Sequence, residues 1–305
     1  MTKDFFARIE WPTIALVVAT YAIWFAFALA GEGLNPLLWI AGVAIATVLY
    51  WSLVHEIVHG HPTQNTLLNH ALVYVPIGWV YALGRFRDGH LQHHATGELT
   101  DPFDDPESWY LAQRDWKDLP SPIRMLMTVN NTLAGRLTVG PAITIWRMIA
   151  GDLSLMLKPG AAGRSRRGSV ALAWAIHVPG VVLLVLALSH WSTVPAWQYF
   201  AAAYCGVAIL LIRTFLEHQA SGDAEERTVI IEDRGPLAFL FLFNNFHVVH
   251  HTRPCLAWYR IPGFYRRHRA NFIRRNNGYV YRSYADIFRL YFFKPKEPVA
   301  HPFVA

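Results

Sequence analysis

Four stretches of the chain carry no charged residue over lengths of 18 to 20 residues: Thr13–Ala30, Leu37–Val54, Ser169–Leu188 and Val194–Ile212. Each is near the length a helix needs to cross the hydrocarbon core of a bilayer. The second runs into His55 without a glycine or proline, which predicts a helix that continues beyond its apolar part, carries His55 and His59 on one face and ends at Pro62. Ala71–Leu83 is apolar but too short to cross, and Pro76 and Gly78 interrupt it. It reads as a half-immersed segment that returns the chain towards His90. From Pro122 to Leu157 apolar residues alternate with Arg124, Arg136 and Arg147, with Lys158 just beyond. This predicts helices lying at the interface. Gly160–Gly168 reads as a basic loop, and the acidic, proline-punctuated run Glu98–Glu107 as another.

Composition and charge extend this reading. Of 305 residues 53% are apolar and only 16% are charged, with 12 tryptophans, so the pattern is that of an integral membrane protein. The first span is expected to remain as an anchor, because Lys3 and Arg8 are offset by Asp4 and Glu10 and no small-residue cleavage site follows. None of the 27 lysines and arginines lies in the short connections 31–36 and 189–193. The positive-inside rule therefore places both termini, residues 55–168 and residues 213–305 in the cytoplasm. All histidine clusters then share one side. The net charge of +6 does not indicate nucleic acid, since the arginines flank spans and stand beside aromatics, as in Trp258-Tyr259-Arg260 and Tyr265-Arg266-Arg267, an arrangement suited to anionic headgroups. Cys205 and Cys255 form no disulfide framework and fit a reducing compartment.

Eight of the fifteen histidines fall in three boxes: His55-Glu56-Ile57-Val58-His59, His90-Leu91-Gln92-His93-His94 and His247-Val248-Val249-His250-His251. On a helix, positions i, i+3 and i+4 share one broad face, so each HxxHH box aims three imidazoles at a small volume. The i+3 and i+4 rings still point about 100° apart, so one box can serve two metals. Eight imidazoles are too many for one tetrahedral zinc, so two metals are the natural reading; a two-metal site of this kind at a membrane surface suits oxygen chemistry on a lipid, which iron supports and zinc does not. Imidazoles alone leave the metal charge uncompensated. Glu56, Asp101, Asp104 and Asp105 are candidates to accept ring N–H bonds and orient the ligands. His61, His70, His177, His190, His268 and His301 are read as non-ligands. Two other readings remain open: a zinc protease using the HExxH pattern His55–His59, and a membrane metal carrier or sensor.

The order HEIVH, HLQHH and NNFHVVHH, followed by Pro254 and Trp258-Tyr259 with paired spans between, resembles the membrane fatty acid desaturase family over Leu37–Arg269. The resemblance implies an all-α, mushroom-like protein of four transmembrane helices with a cytoplasmic helical cap holding a di-iron site, a single desaturase-like membrane domain over 1–305, and an acyl channel. It implies O2-dependent chemistry on a lipid or acyl thioester and an external electron donor such as a ferredoxin. Related hydroxylases and ketolases share such boxes, so hydroxylation stays open beside desaturation. His247, rather than Gln, at the head of the third box departs from the front-end subgroup, and no cytochrome b5 haem motif is visible. The family also carries a lone histidine after its fourth span as an iron ligand. That implies His218 as a ninth ligand, raised by a continued helix into the layer of His55 and His59, although Thr214 stands where the acyl-CoA subgroup has asparagine.

Overall fold

The structure is a computed structural model that describes residues 9–31, 33–157 and 161–305, the side chains of 30 and 161–166 excepted. Lys3, Asp4, Arg8 and Lys158 lie outside the described residues. Of the described residues 65% are helical. In chain order the helices are α1 (Trp11–Ala30), α2 (Pro36–Val58), α3 (Thr66–Leu72), α4 (Leu83–Ala95), α5 (Gln113–Asp118), α6 (Ser121–Asn130), α7 (Leu133–Thr138), α8 (Gly140–Leu157), α9 (Ala161–Trp191), α10 (Ala196–Thr214), α11 (Pro236–Leu240), α12 (His247–Thr252), α13 (Ile261–Arg275) and α14 (Tyr284–Tyr291). Two short strands, β1 (Ile230–Ile231) and β2 (Val280–Tyr281), pair in parallel. The four long apolar helices are those expected, α1, α2, α9 and α10. Several boundaries differ. Residues 161–168 are the start of α9 rather than a loop, since the segment holds alanines and arginines that favour helix and no proline. The fourth span starts at Ala196, where Gln198 N–H donates to the Pro195 carbonyl at 3.0 Å.

Two compact units are formed, Met1–Asp88 with Ile143–Val207 and Gly89–Ala142 with Ala208–Ala305. The chain enters each twice. In the first, α1 packs on α2 and α9. Trp24 and Trp39 are fully buried, with the Tyr199 ring 4.8 Å from that of Trp39 and its hydroxyl donating to the Ala28 carbonyl. Val18, Leu172, Leu183 and Leu186 point outward, about 60% exposed. An apolar surface of that kind suits hydrocarbon rather than water. His177 bonds the Trp79 carbonyl at 2.8 Å, which satisfies a polar group within α9 without a ligand role.

Helix α2 stops earlier than the position of Pro62 suggests. Gly60, at φ +93°, donates to the Ile57 carbonyl while His61 donates to that of Glu56, the paired bonds of a Schellman motif. His59 is therefore the cap residue, and its ring centroid still lies 5.0 Å from that of His55.

The core of the second unit forms around Phe246, Val249, Ile261, Tyr265 and Phe272, with Ile230 of β1 against it. Tyr265 stacks on Phe246 at 4.6 Å and donates to Glu232, so it is a core residue and not a headgroup anchor. Trp258 is buried as well. Arg136 likewise leaves the interface expected of it: it is 3% exposed, lies 3.6 Å from the Trp109 ring and donates to the Asn130 carbonyl.

Candidate metal centre

Both HxxHH boxes lie in the second unit, the first on α4 and the second on α12. Helix α12 is only six residues long and depends on its surroundings for its position. Before it, Leu242 and Phe243 adopt left-handed backbone at φ +50° and +57°. Ile231 N–H then bonds the Asn245 carbonyl, and Val248 N–H bonds that of Val229. These contacts dock the box on β1 and its approach.

The boxes exchange partners. On each, the i and i+4 rings work together and the i+3 ring crosses to the other box. His93, the i+3 residue of the first, joins His247 and His251 of the second. His250, the i+3 residue of the second, joins His90 and His94. Nε2 of His94 and of His250 are 2.9 Å apart, and one ring nitrogen of His90 lies within 4.8 Å of both. In the other group one ring nitrogen from each of His93, His218, His247 and His251 lies within 4.8 Å of the rest. The groups adjoin, since the rings of His94 and His251 stack at 4.3 Å.

The four-histidine group fits a cation. Nε2 of His218 stands 3.1 Å from Nε2 of His93 and 3.1 Å from Nε2 of His247, which is 3.1 Å from Nε2 of His251. Nitrogens sharing an ion at about 2.0–2.1 Å would be roughly 2.9 Å apart at right angles and about 3.4 Å apart in a tetrahedron, a range that spans these contacts. Proton placement supports the same reading. His93 Nδ1 faces Asp105 Oδ1 at 2.7 Å, and His247 Nδ1 faces Asn244 Oδ1 at 3.1 Å, the amide being oriented by its donation to Glu217. With its ring proton held at Nδ1, His247 turns its Nε2 lone pair into the group, and His93 does the same when a cation displaces its second proton.

The carboxylates sort differently from the sequence expectation. Asp105 is buried and accepts from His93 Nδ1 and from the N–H groups of Thr100 and Glu107. Asp101 instead caps the backbone of Phe103 and Asp104 in its own turn, and Asp104 is exposed. Neither is placed on a ligand by these bonds, because a turn whose donors lie within it holds its carboxylate locally. Glu56 lies 3.9 Å from His55 Nδ1, beyond hydrogen-bond distance. Two acids escaped the sequence reading. Glu107 bonds His90 Nδ1 at 2.8 Å. Glu217 is ion-paired with Arg213 at 3.0 Å and reaches His247 through Asn244. For the second of these the sequence holds a signal: Glu217 directly precedes His218, and Asn244, which it meets, stands three before His247.

His218 is brought in, but not by a continued helix. Helix α10 ends at Thr214, and His218 lies in an extended bridge opposite Thr228, with Gln219 N–H on Arg227 and Val229 N–H on Glu217. Among the described residues His61, His70, His177, His190, His268 and His301 join neither group.

Burial, then the neighbouring imidazoles and cations, holds His218, His247 and His251 well below the usual histidine range. His94 is pushed down to about 3 by burial and by His90 and His93. For His93 burial is outweighed by Glu107 and Asp105, and it is raised to about 9. The low group favours the neutral imidazole, the form that ligates.

Residues 33–284 match the family model described as fatty acid desaturase. No curated protein matches the chain.

Proposed function

Because this chain belongs to the fatty acid desaturase family, we propose that it removes two hydrogens from a long acyl chain at the expense of O2, with two irons held by the eight box histidines and His218. It is an integral membrane oxidoreductase, with four apolar helices of spanning length. The observation that carries the finer reading is the crosswise convergence of imidazole nitrogens in the second unit. His93, His218, His247 and His251 take one iron, and His90, His94 and His250 serve the other. When bound, two irons supply the redox capacity for O2 activation that zinc lacks. The chain's own contribution is to hold the ring protons of His90, His93 and His247 at Nδ1, through Glu107, Asp105 and Asn244, so that each Nε2 presents a lone pair.

The distribution of lysine and arginine supports a cytoplasmic position for the site and both termini. The substrate is an acyl lipid or acyl thioester, and the electrons come from an external donor such as a ferredoxin. Lipid profiles of cells expressing the wild type against His94→Ala test this. An alkene present only with the wild type is the expected result. An oxygenated product in its place would make the protein a hydroxylase, and identical profiles would refute the acyl substrate. Metal analysis addresses the site itself: two irons per chain are expected, and a single zinc would return the HExxH protease reading.

A further inference from the structure

The segment Lys296–His301 lies beyond residues 33–284 that match the family, yet it reaches two histidines of the four-histidine group from separate sides. Lys296 is one contact. Its side chain is 9% exposed, it pairs with Glu297 at 2.6 Å, and its ammonium donates to the backbone carbonyl of His218. His218 has no box around it. A boxed histidine is placed by its helix, whereas His218 depends on the extended bridge to Thr228 and on this bond. The bridge fixes its neighbours, through the Glu217 carbonyl and the Gln219 N–H. The His218 carbonyl is held by Lys296.

His301 is the other. It is buried, its Nε2 lies 3.2 Å from the Thr100 hydroxyl, and its N–H donates to the Leu111 carbonyl beside a Leu111–Val299 bond. Thr100 sits at φ +75°, a left-handed conformation that β-branched residues rarely adopt. Its own N–H donates to Asp105 Oδ2, and Asp105 Oδ1 faces His93. Release of the Thr100 hydroxyl would let this backbone relax and take the Asp105 carboxylate with it.

We propose that Lys296–His301 is a positioning element of the four-histidine centre, Lys296 fixing His218 and His301 fixing Asp105, and so His93, through Thr100. The inference rests on the metal reading above. Neither residue touches the reacting atoms. Both act on where two ligand nitrogens stand.

The test is ferrous iron binding to the full-length protein in detergent, read as iron retained per chain against a graded chelator, with thermal melting of each iron-free variant. The wild type is expected to retain two irons. Lys296→Met and His301→Ala should each retain one as tightly as the wild type and hold the other at least tenfold more weakly. Lys296→Arg, which keeps a donor and a charge, should recover most of the loss. Lys294→Met removes an exposed charge two residues away and should leave both irons in place. Should Lys296→Met fail to melt cooperatively, His301→Ala carries the test. Retention of both irons in the two variants overturns the inference. So does equal weakening of both irons, because that is the mark of general destabilisation rather than of one centre. A wild type that binds no iron overturns the metal reading and this inference with it.

Discussion

Replacing Asp105 with alanine is the sharpest probe of how the site is held. The carboxylate accepts from His93 Nδ1 at 2.7 Å and from the N–H groups of Thr100 and Glu107 at 2.9 Å each. The His93 and Asp105 side chains are 1% and 2% exposed, so water cannot readily replace the lost partner. Each buried donor left unsatisfied costs about 1–3 kcal/mol, and with His93 and Thr100 both stranded the expected loss of stability is roughly 2–6 kcal/mol. Loss of the group that orients a metal-ligating histidine typically weakens metal binding about 10- to 100-fold. Asp105→Asn keeps one oxygen, which can still serve His93 and Glu107, but turns an NH2 group on the Thr100 N–H, so it should fall between alanine and wild type. Asp104→Ala, at an exposed position of the same loop, should stay within about 0.5 kcal/mol of wild type. Chelator competition for iron, paired with thermal melting, measures both effects. If Asp105→Ala matched Asp104→Ala in both, Asp105 would not be what orients His93.

Four further outcomes are expected. Glu217→Ala leaves Arg213 and Asn244 without the carboxylate they share, and breaking a buried ion pair from one side costs about 3–5 kcal/mol; a melting temperature within two degrees or so of wild type would refute the relay to His247. For the iron-free protein, His94 is held down to about 3 while an unfolded-chain imidazole titrates near 6.5, so between those values the unfolded state binds the extra proton and stability falls as pH drops. His93, raised to about 9, acts in the opposite sense, its contribution complete below 6.5 and lost as pH rises through 9; melting of the iron-free protein should therefore peak between, and a profile that improves from pH 6.5 to 4 would contradict the burial of His94. Gly78→Ala would set a Cβ 2.1 Å from Trp51 Nε1, an overpacking expected to cost about 1–3 kcal/mol in the first unit, and an unshifted melting curve would count against this packing. Reporter fusions after Gly33 and after Thr193 should report the exterior and one at Ala305 the cytoplasm; an exterior signal at Ala305 would overturn the proposed orientation.

What could be read from the sequence is what short-range periodicity determines. Unbroken apolar runs mark α1, α2, α9 and α10, because the span of a helix is a count of consecutive residues. The i, i+3, i+4 spacing of the boxes puts their imidazoles on α4 and α12, because helix geometry alone fixes which positions share a face. Local rules also suffice to end α2 at Gly60 rather than at Pro62, since a glycine in the left-handed cap position stops a helix before the proline is reached. Tertiary structure decided the rest. That His93 serves with His247 and His251 while His250 serves with His94 follows from how two short helices face each other, and no spacing within either box encodes it. Asp101, Asp104 and Asp105 are indistinguishable by sequence, for a loop has no period to say which carboxylate turns inward. Glu107, Glu217 and Asn244 acquire their roles only when the chain returns to the boxes. Lys296 and His301 meet their partners, His218 and Thr100, across separations of 78 and 201 residues, where closure of the fold, and no local propensity, brings donor to acceptor.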